Sequence, residues 1–249
     1  GVTTVNYNRD IEIFPVLRAI FERIYGECPY KSPTDMGVNM AGYSIVDDEI
    51  CCEASRQEVV RRYFKTACMV RQGLAGKQEL NKLELLMRTL GVDVNIRRTV
   101  PAALAVAEAT GEPATAIELP DGQIVTGKTS SLLGASAAAL LNALKVMAGI
   151  PDELKLISPS VIQPIQHLKV DHMGNRNPRL HTDEVLIALA ISAATDENAS
   201  IAMDQLSELK DCDAHSTVIL SQVDDGMFKK LGVNITCEPD YQDRNLYHK

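Results

Sequence analysis

Two stretches, Ala135 to Ala148 and Asp183 to Ala194, are apolar nearly all the way round a helix. Such a helix has no face to offer to water and must be enclosed by other layers. Short strand-like runs stand around them: Thr115 to Leu119, Gln123 to Gly127, Leu154 to Ile157, His215 to Leu220 and Val233 to Cys237. Val92 to Arg98 alternates weakly, as an edge strand does. Strands alternating with enclosed helices point to an α/β layer architecture. Before Gly91 the period is purely helical. Ile11, Phe14, Leu17, Phe21 and Ile24 share one face of a helix running from Asp10 to about Tyr25. A second helix runs from Asp47 or Asp48 to about Gln72. A third, from Lys77 to Leu90, carries a stripe of Leu80, Leu83, Met87 and Leu90 and is stopped by Gly91. The expected fold is α/β (α+β over the whole chain). A helical subdomain over residues 1–92 is followed by a layered α/β/α subdomain with a mixed sheet over residues 93–249.

Charge and composition remove several functions. The 249 residues carry 25 Lys and Arg against 33 Asp and Glu, a formal net charge of −8. A general nucleic-acid binder needs a basic footprint, and with 4% aromatics and no Trp a base-stacking platform is disfavoured. The longest apolar run, Val185 to Ala194, is too short to span a bilayer, so no membrane partner is expected. The chain opens abruptly at Gly1-Val2-Thr3-Thr4 with no secretory leader visible, as a piece of a longer protein would. Six cysteines occur without a CxxC pair, which reads as reduced thiols in a cytoplasmic protein.

Gly122-Gln123-Ile124-Val125-Thr126-Gly127-Lys128-Thr129 fits G-x-x-x-x-G-K-[ST] literally. A P-loop wraps phosphate with successive backbone N–H groups, which favours small residues between its glycines. Gln-Ile-Val-Thr prefers an extended strand instead, and Asp121-Gly122 reads as the hairpin turn before it. Lys128 remains a secondary cation candidate at the following helix start.

The densest polar cluster is Asp171-His172-Met173-Gly174-Asn175-Arg176-Asn177-Pro178-Arg179-Leu180-His181. Arg176 and Arg179 are candidate anion clamps, and Asn175 and Asn177 candidate orienting groups. His172 and His181, with Asp171, are candidate acid/base groups near neutral pH. A solvated connection whose side chains bond their own backbone fits the same residues. Two further polar segments offer Asn8 and Arg9, and Thr34, Asp35 and Asn39, as ligand groups or as caps and turns. No His or Cys spacing suits a metal, and no cofactor is assigned.

The runs Thr3 to Leu17, Ser32 to Met40, Leu119-Pro120 with Ile124 to Lys128, Arg176 to His181 and Ala214 to Thr217 resemble the uncharacterised bacterial family called domain of unknown function 1846. The resemblance covers essentially the whole chain and matches the C-terminal half of members about twice as long. It implies that an N-terminal half with its own glycine-rich segment is a partner missing from this sequence. It also implies a helical subdomain followed by an α/β subdomain, with a deaminase-like layering but without the deaminase H-x-E and P-C-x-x-C zinc signature. No activity comes with it. The expected function is an enzyme or binding protein for a phosphorylated or otherwise anionic small molecule such as a nucleotide. The alternative is a non-catalytic assembly module, and a homo-oligomer is expected.

Overall fold

A computed structural model describes residues 7–33, 35–36 and 48–242. The chain divides into two compact units, Gly1–Ile96 and Arg97–Lys249.

The first unit contains α1 (Tyr7–Tyr25), α2 (Asp48–Arg71) and α3 (Lys77–Leu90). On α1 the predicted stripe turns inward in part: Ile11 and Phe14 are buried. Leu86 and Met87 bury the corresponding face of α3, and Gly91 ends that helix in the left-handed conformation at φ 63°. That backbone costs a glycine little. The edge strand expected over Val92 to Arg98 is instead a 3-10 turn, Val94–Ile96. Asp93 Oδ1 accepts the Asn95 N–H at 2.8 Å, a local bond that curls the backbone out of an extended path.

The second unit is a four-stranded mixed sheet in the order β2-β1-β3-β4. Its strands are β1 (Ala114–Glu118), β2 (Ile124–Lys128), β3 (Asp213–Ser216) and β4 (Asn234–Cys237). β1 runs antiparallel to both β2 and β3, and β3 runs parallel to β4. The helices are α4 (Thr99–Thr110), α5 (Ala135–Met147), α6 (Pro159–His167), α7 (Thr182–Ala193), α8 (Glu197–Asp204) and α9 (Gln222–Lys230). α4 packs on β1, β2 and β3, α5 packs on β1 and β2, and α7 and α8 pack in turn on α5. Ala137, Ala139, Leu140, Ala143 and Leu144 of α5 and Val185, Ala188 and Leu189 of α7 are buried. α5 is thus largely enclosed, but α7 is not: it buries one face against α5 and leaves Ile187 and Ile191 60% and 58% exposed, so the all-round enclosure expected of its composition is met in α5 alone. The strand expected at Leu154 to Ile157 is a turn leading to α6, with Leu156 and Ile157 buried as anchors. The strand expected from His215 to Leu220 begins earlier and ends at Ser216.

Arg97 ties this unit together at its first residue. The residue is 1% exposed. It donates to Asp213 Oδ1 at 3.2 Å and to the carbonyls of Ala214 and Asn234 at 3.2 and 2.8 Å. One side chain thus satisfies acceptors on both β3 and β4.

The P-loop look-alike is the β1–β2 hairpin. Gly122 forms its turn at φ 82°, and Ile117 faces Val125 across the ladder. Gly127 lies within β2, where a Cβ would stand 2.1 Å from the Ala139 backbone nitrogen. That glycine lets α5 settle onto the sheet. Gly127→Ala should overpack this contact and lower stability by about 3 kcal/mol in chemical denaturation of the chain. A loss below about 0.5 kcal/mol, the range of indifferent surface changes, would contradict the close approach.

Candidate functional site

Three helices of the second unit begin at one cleft. Its lining includes Gly134, Ala135 and Ser136 at the start of α5, His181 at the start of α7, and Ser221 and Asp224 at the start of α9. Ser216, at the C-terminal end of β3, contributes the floor together with the turn that follows it. Crevices outside the carboxyl ends of strands are where open α/β sheets bind ligands. Helix N-termini concentrate positive potential there.

Asp224 is the junction of the cleft. It occupies the third position of α9, and its N–H donates to the Ser221 hydroxyl that caps the helix, at 3.1 Å. The same hydroxyl donates to Asp224 Oδ2 at 2.8 Å. Asp224 Oδ1 accepts the first N–H of α7 from Thr182 and the Thr182 hydroxyl, each at 2.9 Å. Oδ2 meets His181 Nδ1 at 2.9 Å. One carboxylate thus answers the N-terminal dipoles of two helices. Burial alone would raise its pKa, but the bond and charge of His181 and the bonds from Thr182 and Ser221 outweigh burial and hold it below the ordinary carboxylate value.

His181 is oriented by this contact. With Nδ1–H donating to Asp224, the lone pair rests on Nε2, which has no protein partner among the described residues. The ring is half-buried at the edge of the cleft. A carboxylate fixing one imidazole nitrogen so that the other can move a proton is the arrangement of an acid/base dyad. Ser221 Oγ also lies on the Nδ1 side, 3.5 Å away, so it is not placed as a nucleophile activated through Nε2.

The loop before α7 is stitched down rather than free. A wide turn, Leu168–His172, swings Lys169 inward. Lys169 Nζ donates to the Arg179 carbonyl and to Glu184 Oε2, both at 2.7 Å. Glu184 Oε2 in turn accepts the His181 N–H at 2.8 Å. The Leu180 N–H donates to the Leu132 carbonyl and its own carbonyl accepts from Gly134, which seats the start of α5 beside the loop. Arg179 Nε donates to the Ser130 carbonyl at 2.8 Å. Asn177 is buried, and its side-chain oxygen accepts the Arg179 N–H at 3.1 Å.

Of the sequence candidates, the structure gathers Asn177, Arg179 and His181 at the cleft. Asp171, His172, Asn175 and Arg176 lie exposed on the preceding turn. There Asp171 pairs with His167, and the rings of His167 and His172 meet edge-on at 5.4 Å. Lys128 is exposed at the end of β2. Asn8 and Arg9 fall in the first turn of α1, with side chains outside the described residues. Thr34 and Asn39 lie outside them altogether. Asp35 is buried in the helical unit and accepts the Lys31 N–H at 2.7 Å. Sequence reasoning missed Asp224, Ser221 and Ser136. Ser221-x-x-Asp224 has the form of a helix-start box, but nothing local shows that its carboxylate reaches α7. Among the described residues no cluster suits a metal ion, and no helix is long and apolar enough to cross a membrane.

A second buried group bears on the acid response. His215 on β3 is fully buried, with Nδ1 2.9 Å from the Thr236 hydroxyl and Nε2 3.3 Å from Glu238. Burial lowers its pKa, Glu238 opposes that in part, and Arg97 adds to the lowering. The unfolded chain therefore takes up the His215 proton first, so stability falls as pH drops below about 6.5. Asp224 acts in a lower window. Its stabilisation is present above the ordinary carboxylate pKa near 3.9 and is lost as pH falls through the depressed folded value. Denaturation curves recorded against pH should show both declines, and Asp224→Asn should remove only the lower one. An acid limb unchanged in that variant would contradict the assignment.

Comparison with known sequences places the chain. The family model described as Domain of unknown function DUF1846, C-terminal, matches residues 95–247, and the one described as Domain of unknown function DUF1846, N-terminal, matches residues 1–91. UPF0371 protein str1377 of Streptococcus thermophilus (strain CNRZ 1066) is 56% identical over 249 residues, covering 100% of this chain and 50% of the relative. UPF0371 protein cu0538 of Corynebacterium urealyticum is 53% identical over the same span and shares of each chain. UPF0371 protein SP70585_0405 of Streptococcus pneumoniae (strain 70585) is 54% identical, again over all of this chain and 50% of the relative. The chain spans about half the length of these bacterial relatives, and it belongs to the DUF1846 family.

Proposed function

We propose that this member of the DUF1846 family forms part of an enzyme acting on an anionic small molecule, with the cleft at the start of α5, α7 and α9 as the reacting site. The observation that carries the reading is the Asp224–His181 pair set among three helix N-termini. Asp224 already answers the dipoles of α7 and α9. The start of α5 has no side-chain cap and shares the cleft with Arg179 and His181, so it is the terminus left to attract a ligand's negative charge. The cleft holds ≈ 30 Å³, about one water's share of the liquid. A single phosphoryl or carboxylate oxygen can enter, while the rest of the ligand stays at the rim formed by Arg179 and His181. There His181 Nε2 would take or return a proton, and Arg179 would hold the anion in a fixed plane.

A ligand supplied at 100 times its dissociation constant stabilises a protein by about 2.7 kcal/mol. A thermal-shift panel of phosphorylated and carboxylated metabolites on the complete protein should find such a ligand. Arg179→Ala should weaken its binding by about tenfold, the scale of one charge-assisted bond. His181→Gln should leave binding near its original strength and abolish turnover. No shift with any anion, or turnover that survives His181→Gln, would contradict the reading.

One observation favours an assembly role instead. Val16, Ile20 and Ile24 form an exposed apolar stripe along α1, the kind of face that docks against another surface. If light scattering shows that Ile20→Asp lowers the assembly mass while no anion shifts the melting temperature, the non-catalytic reading holds.

A further inference from the structure

Four cations of the helical unit converge on one cavity. Arg18 of α1, Lys31 of the turn after it, Arg56 of α2 and Arg88 of α3 line a cleft of ≈ 410 Å³, with Ser32 and Ser55 among the hydroxyls beside them. No carboxylate is among the described lining residues, although acids outnumber bases in the chain as a whole. Local bonds hold two of the cations in place. Asp35 accepts the Lys31 N–H at 2.7 Å, and the Ser32 hydroxyl accepts the Asp35 N–H at 3.0 Å. This closes the turn that presents Lys31 and Ser32. Arg18 donates through Nε to Glu22 at 2.7 Å and reaches the Thr89 carbonyl at 3.4 Å, which fixes its guanidinium between α1 and α3. Arg56 approaches Glu53 only at 3.7 Å, and Arg88 has no ion pair among the described residues.

The cleft continues into a larger chamber of ≈ 1000 Å³ that shares Arg18, Lys31 and Arg56. There the lining changes sign: Glu22, Glu27, Glu49 and Glu53 stand around it with Tyr30. The groove therefore has a basic end and an acid-rich end, and the two cavities together span the usual range for small-molecule sites. Clustered Arg forks and Lys suit a phosphate. Carboxylates accept hydrogen bonds from hydroxyl groups and repel a second anion.

We infer that this groove binds a phosphorylated polyol or sugar, the phosphate held by Arg18, Lys31, Arg56 and Arg88 and the hydroxyls donating to the glutamates. The site lies in the helical unit and does not rest on the role given to His181.

Calorimetric titration of the complete protein with glucose 6-phosphate, glucose and inorganic phosphate tests it. Glucose 6-phosphate should bind at least about tenfold more tightly than either part alone, one charge-assisted bond being worth that much. The double variant Arg56→Ala with Arg88→Ala should weaken binding by about tenfold or more. Both side chains are exposed, and circular dichroism should confirm an unchanged fold. Arg179→Ala should leave this titration unaltered. No binding of glucose 6-phosphate at millimolar concentration, an affinity no better than that of inorganic phosphate, or binding that survives the double variant would overturn the inference. Loss of binding in Arg179→Ala alone would also overturn it, by moving the ligand to the other cleft.

Discussion

The second unit is organised around a buried negative charge at the place where helices begin. Asp224 takes the first N–H of α7 and belongs to the first turn of α9, so it satisfies one helix end while stabilising another. A buried carboxylate is costly unless it is hydrogen-bonded and paired. Here Thr182, Ser221 and His181 supply those partners. Removing any of them leaves the charge less well compensated, which couples the two helix starts and fixes the histidine ring. The same bonds that hold the fold therefore decide which imidazole nitrogen is available for chemistry.

That junction depends on how closely the layers approach. Gly127 and the alanines of α5 remove side-chain bulk between the helix and β2, so α5 can lie low on the sheet. The Leu180 backbone then bonds both sides of the α5 entry, and Arg97 closes β3 to β4 from the other end of the unit. The cleft sits beside the α5 entry, and the inward turn of Lys169 onto Glu184 ties the loop above it to α7.

Much of this was legible in the residues. α3 from Lys77 to Leu90 could be read because its stripe, helix length and terminal glycine all agree, and the apolar helices α5 and α7 announced the layers, although α7 keeps Ile187 and Ile191 on an exposed face. The hairpin outweighed the phosphate-loop motif because Ile124 and Val125 favour an extended chain. The two failed strands, at Val92 to Arg98 and Leu154 to Ile157, were short apolar runs whose periodicity does not distinguish a strand from an anchored turn. At the site, Arg179 and His181 stood out as polar residues before a helix. Asp224 did not, since its main contact lies 42 residues away in the chain. A polar loop displays its own residues but not the carboxylate that arrives from another element, and so Arg176 and Arg179 looked equivalent until the fold buried one flank and left the other in water.

The most direct test of Asp224 as the organising charge is the tautomer of His181, read by nitrogen-15 NMR on the neutral ring. The native protein should carry a proton on Nδ1 and a bare Nε2, with that preference lost in Asp224→Ala. A native ring carrying its proton on Nε2, or a tautomer indifferent to the loss of Asp224, would contradict that role.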